Sequence, residues 1–175
     1  NVEGGRIAGR YVVAASQGVA KVALLEGTPG HQTGDARLGG FREGIRSAPG
    51  IIVVASQTAN WERDQGFTVF RNMLQAHQDV DTVFACNDVM ALGAIEAIQA
   101  AGRAGRIRVI GFDAIDDARK AIAAGTMEAS VAQYPGEMGR IAVTSALQLV
   151  AGATVPSDQR TKVGMVTRTT IGAPT

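Results

Sequence analysis

Short runs of unbroken apolar residues alternate along the chain with longer segments in which apolar residues recur every three or four positions. The runs are KVALLEG (21–27), IIVVASQ (51–57), DTVFACND (81–88), IRVIGFD (107–113) and MEASVAQ (127–133). Runs of this kind suit strands covered on both faces, as in a parallel sheet. Between them, DARLGGFREGIRSA (35–48) places Leu38, Phe41 and Ile45 at helical spacing and stops at Pro49-Gly50. WERDQGFTVFRNMLQAH (61–77) lines up Phe67, Phe70, Met73 and Leu74 on one face. The alanine-rich stretch 88–102 opens at Asp88, read as an N-cap, and closes at Gly102; 115–125 closes the same way at Gly125. Helices are also predicted over 3–15 and 137–151.

Strand–helix–strand repeated with short connections implies parallel strands joined by right-handed crossovers. The predicted fold is therefore a three-layer α/β/α sandwich around a mostly parallel, flavodoxin-like doubly wound sheet. At 175 residues the chain suits one ordinary domain.

Charge and cysteine content narrow the function classes. With 17 basic and 16 acidic side chains the formal net charge is +1, which argues against a nucleic-acid footprint. The cluster Arg103, Arg106 and Arg108 reads as the edge of a helix and a strand. The single cysteine, Cys86, leaves no intrachain disulfide, and after TVFA it reads as a buried small hydrophobe. No metal-ligand spacing is visible, and no cofactor is expected. No stretch approaches the roughly 18 apolar residues that span a bilayer.

In an open parallel sheet, ligands bind beyond the carboxyl ends of the strands. The first predicted strand leads into a glycine-rich loop, GTPGHQTGDAR (27–37), and the second into SQTANW, which ends at Trp61. The third delivers Asn87 and Asp88, the fourth Asp113 and the fifth Gln133. An aromatic ring beside carboxylates and amides suits a sugar: the ring packs on the apolar C–H face while the polar groups exchange hydrogen bonds with hydroxyls. Taken singly, each residue also has a structural explanation, as a cap, a turn or a loop tie, and only their shared edge favours ligand contact. An enzyme reading is weaker. The first loop lacks the Walker lysine and the GxGxxG spacing, and His31, His77, Asp35 and Asp113 stand without a nucleophile or metal.

The series KVALLEGTPG, ARLGGF, SQTANW, VFACNDVMALGAIEAIQAAG, VIGFDAIDDARKAIAAG and ASVAQYPGEMG resembles the ribose-type periplasmic binding proteins, the substrate-binding subunits of sugar ABC importers. The LacI-type repressors share that core fold and are the runner-up. The phrase KAIAAGTMEASVAQYPGEMG and the lack of a helix-turn-helix segment favour the transport branch. The resemblance implies a non-enzymatic protein that closes two lobes on a monosaccharide or sugar alcohol and docks on a membrane permease. It implies a periplasmic or extracellular location, with lipid anchoring of a full-length protein left open. Trp61 then takes the place of a sugar-stacking aromatic, and Asn87, Asp113 and Gln133 match hydroxyl-binding groups. Asp35 falls where ribose binders carry arginine, with Arg37 two residues on, so the sugar need not be ribose. By resemblance, 1–133 is a carboxyl-terminal lobe, 134–160 carries a helix that crosses to an amino-terminal lobe, and 161–175 returns along the sheet edge. The crossing helix would present Ile141, Val143, Leu147, Leu149 and Val150 to that lobe. In this chain it is expected to fold back on its own sheet or to pair with a second copy.

Overall fold

The computed structural model describes residues 1–172. In chain order it contains α1 (Val2–Ala15), β1 (Val19–Glu26), α2 (Gln32–Ile45), β2 (Gly50–Thr58), α3 (Arg63–Ala76) and β3 (Thr82–Ala85). These are followed by α4 (Asp88–Ala100), β4 (Arg108–Asp113), α5 (Asp116–Ala124), β5 (Ala129–Ala132), α6 (Pro135–Val150) and β6 (Gly164–Thr167). One sheet holds the strands in the order β2-β1-β3-β4-β5-β6. β1 to β5 run parallel, and β6 pairs antiparallel with β5. This is the predicted doubly wound α/β/α sandwich.

The apolar runs form strands because helices cover both faces of the sheet centre. Leu24, Leu25, Val83, Phe84, Ile110 and Phe112 are all fully buried. β2 departs from that expectation: it is an edge strand, and Ile52 remains 46% exposed. The step from β1 to β2 runs one way across the sheet and the steps from β2 through β5 run the other. Right-handed crossovers therefore put α2 on one face and α3, α4 and α5 on the opposite one.

α1 packs on α2 with the two backbones in direct approach. A Cβ at Gly5, Gly9, Gly40 or Gly44 would strike backbone atoms of the facing helix, so these positions require glycine. The cap of α4 is Asn87 rather than Asp88: the Asn87 side-chain oxygen accepts from the Met90 amide at 2.9 Å. α5 ends as expected, at Gly125 in the left-handed region with φ 78°.

The expected fold-back of 137–151 does not occur. None of the α6 residues is buried, and Val143, Leu147, Leu149 and Val150 are exposed, while Ile141 is partly covered. The physical reason is that the other helices already occupy both sheet faces. Among the described residues, no helix is long and apolar enough to cross a membrane.

Candidate functional site

Parallel pairing brings the carboxyl ends of β1 to β5 to one rim, and the strand order reverses between β1 and β3, the kind of switch point at which open parallel sheets bind ligands. Gly27 follows β1, Trp61 lies in the loop after β2, Asn87 follows β3, Asp113 ends β4 and Gln133 follows β5. The Trp61 indole rests on Gly27, where any Cβ would collide with the ring, and within reach of Gly34. His31 meets the indole edge-on at 5.7 Å between centroids. Asn60 (φ 50°) and Trp61 (φ 69°) both occupy the left-handed region, a conformation that costs L residues on the order of 1 kcal/mol or more each. Neighbours hold it in place. The Thr58 hydroxyl donates to the Gly27 carbonyl at 2.7 Å, and the Asn87 side-chain amide donates to the Trp61 carbonyl at 3.3 Å.

Arg37 sits at the centre of the rim, only 6% exposed. Its Nη1 donates to the Cys86 carbonyl at 2.5 Å, its Nε to the Asn1 side chain at 3.1 Å, and its Nη2 lies 3.1 Å from Asp113 Oδ1. The guanidinium stacks over Phe112 at 3.8 Å and lies 5.8 Å from the Trp61 ring centroid. Gln133 Nε2 donates to the same Asp113 Oδ1 at 2.5 Å. Among the described residues, Asp113 Oδ2 is thus left for an incoming donor. Burial pushes the Asp113 carboxyl above its ordinary range, against the pull of Arg37 and Gln133.

Below this row, Asp88 has no exposed surface. Its Oδ1 accepts from the Ser130 hydroxyl at 2.6 Å and its Oδ2 from the Ile115 amide at 2.9 Å. Burial pushes its pKa up to about 7, while the hydrogen bonds from Ser130 and Ile115 oppose the shift.

The structure thus brings Trp61, Asn87, Asp113 and Gln133 to one rim, and Asp35 lies in the first turn of α2 beside it without a polar contact to these four. α2 starts at Gln32, and two helical residues are turned about 200° from each other. Asp35 therefore faces solvent while Arg37 faces inward. Asp35 thus stands exposed on the first turn of α2, and Arg37, two positions later, is the side chain of this segment that is buried at the rim. The buried face Gly34, Arg37, Gly40, Phe41 and Gly44 follows helical periodicity and marks Arg37 in the sequence. Asn87, for its part, is engaged structurally through both its side-chain oxygen and its nitrogen. The Cys86 thiol is buried and pushed up to about 12, which fits a packing role rather than a reactive one.

A hollow of about 570 Å³ extends from Asp113 and Gln133 toward Ile115, Arg119 and Pro135. A smaller one of about 320 Å³, between Ile95, Ile98, Arg106 and Glu128, lies at the opposite rim, away from the polar row. Arg103 donates to the Val80 carbonyl at 2.7 Å, and Arg108 opens β4, so this basic cluster edges a helix and a strand. Among the described residues, no group of three His, Cys, Asp or Glu side chains is placed to hold a metal ion.

The family model described as a periplasmic binding protein domain matches residues 1–154. The chain belongs to the periplasmic binding protein family. It is 41% identical over 155 residues to the ribose import binding protein of Salmonella typhimurium, covering 89% of this chain and 52% of that relative. A periplasmic solute-binding protein of an ABC transporter from Actinobacillus succinogenes, solved with D-allose, superposes with a TM-score of 0.94 at 34% identity. That match covers 98% of this chain and 61% of the other. The Caulobacter myo-inositol binding protein, solved with myo-inositol, matches with a TM-score of 0.91 at 37% identity, covering 98% and 59%. The chain spans about half the length of the curated relatives it matches.

Proposed function

We propose that this chain forms one wall of a cleft that takes a monosaccharide or sugar alcohol, in the substrate-binding component of an ABC importer. The observation that carries the reading is the row Arg37–Asp113–Gln133 beside the Trp61 ring at the switch-point rim. Asp113 Oδ2 accepts a hydroxyl proton, the outward N–H groups of Gln133 and Arg37 donate to hydroxyl oxygens, and the indole covers a C–H face of the ring. Polar groups fixed in this way discriminate strongly against ligands that lack the matching hydroxyls.

A single wall leaves the opposite side of the ligand wet. In this reading the other wall belongs to a second lobe, and ligand that touches both lobes only when they are closed shifts the population toward the closed form. That form docks on a permease, in a periplasmic or equivalent extracellular setting. The uncovered apolar side chains of α6 fit a helix that crosses to the second lobe. The importer names of the matched relatives favour transport over the repressor alternative, and those relatives bind solutes rather than transform them.

Isothermal calorimetry on the full-length protein with D-ribose, D-allose and myo-inositol tests the reading. At least one is expected to bind at micromolar or tighter affinity, and the 175-residue chain alone at least about a hundredfold more weakly. Folded full-length protein that gives no heat with any of the three would refute the sugar reading. Equally tight binding by the isolated monomeric chain would refute the one-wall reading.

A further inference from the structure

The ligand-facing carboxylate stands on an unfavourable piece of backbone. Asp113 has φ 110° and Ala114 φ 53°, two consecutive non-glycine residues in a region that L side chains rarely adopt. Relaxing either one to negative φ would swing the Asp113 side chain away from Arg37 and Gln133.

Two residues from other elements grip the next amides along the chain. Ser130, on β5, accepts the Ala114 N–H at 3.0 Å and donates its own proton to Asp88 Oδ1 at 2.6 Å. Asp88, on α4, accepts the Ile115 N–H through Oδ2 at 2.9 Å. The carboxylate also lies against Gly111, where any Cβ would collide with Asp88 Oδ1. Neither gripping residue has exposed surface, so neither can touch a ligand directly. A buried carboxylate is costly unless hydrogen bonds satisfy it, and here those bonds go to the strained turn itself.

We infer that Asp88 and Ser130 are positioning residues of the binding cleft, clamping the Asp113–Ala114 turn so that the Asp113 carboxylate is held out to the ligand. The ligand in this inference rests on the sugar-cleft reading; the clamp itself does not. Removing the clamp lets the turn relax, so the cleft loses pre-organisation while the sheet beneath it persists. Asparagine at position 88 has the same shape: its oxygen still accepts from Ile115, while its amide reverses the Ser130 contact by donating to the hydroxyl, whose own proton must then turn to another acceptor.

The test uses the full-length protein with S130A, D88A and D88N. Affinity is measured for whichever of D-ribose, D-allose and myo-inositol the unaltered protein binds, and amide hydrogen exchange is followed at Ala114 and Ile115. S130A and D88A are expected to weaken binding by about tenfold or more, and D88N to stay within about threefold. Exchange at Ala114 and Ile115 is expected to accelerate in S130A and D88A, with Val109 and Ile110 in β4 unchanged. Folded S130A with unaltered affinity and unaltered exchange overturns the inference, and S130A alone decides should D88A fail to fold. Rescue by D88N separates a positioning role from simple loss of volume. If the unaltered protein binds none of the three sugars, the sugar reading fails, and the exchange measurement still decides the clamp.

Discussion

Arg37 on α2 and Asp113 at the end of β4 meet at 3.1 Å, joining a helix on one face of the sheet to the rim where the strands end. The arginine is almost fully buried and makes three further polar or stacking contacts in addition. A planar fork is needed to reach all of them. R37K keeps the charge but not the fork, and R37M takes the guanidinium from the Cys86 carbonyl and leaves the Asp113 carboxylate with Gln133 alone. Each is expected to lower stability by about 2 kcal/mol or more, R37M the more severely, as read by urea denaturation. Equal stability of R37K and the unaltered protein would show that the fork geometry is irrelevant.

Gly27 carries the Trp61 ring. Because Trp61 is the sole tryptophan, its fluorescence reports directly on the seat that Gly27 provides. G27A drives a methyl group into the indole and is expected to displace the ring, shift its emission to the red and cost about 1–3 kcal/mol. An unchanged emission spectrum would argue that the loop absorbs the methyl without moving the ring.

Asn87 has two separable tasks. Its oxygen caps α4 and its nitrogen ties down the Trp61 carbonyl. N87A is expected to cost about 1 kcal/mol through the lost cap. N87D retains the capping oxygen but loses the tie, so thermal denaturation should place it nearer the unaltered protein, while sugar affinity should fall in both variants.

The buried Asp88 links stability to pH. Its pKa is raised from the ordinary 3.8 to about 7 by burial, with the neighbouring Asp113 carboxylate adding to the shift. Between about pH 4 and pH 7 the native state keeps a proton that the unfolded chain has released. Rising pH therefore destabilises the fold across that window, by at most about 1.4 kcal/mol per pH unit from this group, and has no further effect through it above the window. Asp113 is shifted in the same direction, so the informative quantity is the stability of the unaltered protein minus that of D88N. That difference is expected to fall as pH rises from about 4 to about 7 and then level off; a flat difference would mean that Asp88 titrates normally.

The layer order and the rim are legible in the sequence because apolar runs and helical spacing are local patterns with a physical period. The polar groups at strand ends can be named for the same reason: a parallel sheet puts every strand end on one side. The helix phase at α2 is not legible at the level needed. The resemblance fixes the order of Asp35 and Arg37 along the chain but not which of them turns inward, although the glycines around Arg37 share its periodicity. Asp88 reads as a cap because acids at helix starts usually are. Its actual partners, Ser130 and Ile115, lie 42 and 27 residues away along the chain, and no local pattern announces a contact of that range. The left-handed backbone at Trp61 is equally invisible to composition, since tryptophan does not advertise such a conformation.

The touching backbones of α1 and α2 have a consequence for recognition. The Arg37 carbonyl itself lies where a Cβ on Gly5 would go, so the segment that presents the guanidinium is seated against its neighbour with no side chain between them as a cushion. Such a contact resists sliding and tilting more than one mediated by flexible side chains. A ligand arriving at this wall meets groups already locked in their docking geometry, and little conformational freedom remains on the protein's side to be frozen out. Enlarging any one of these four glycines would therefore be felt some distance away, as a looser grip at the rim.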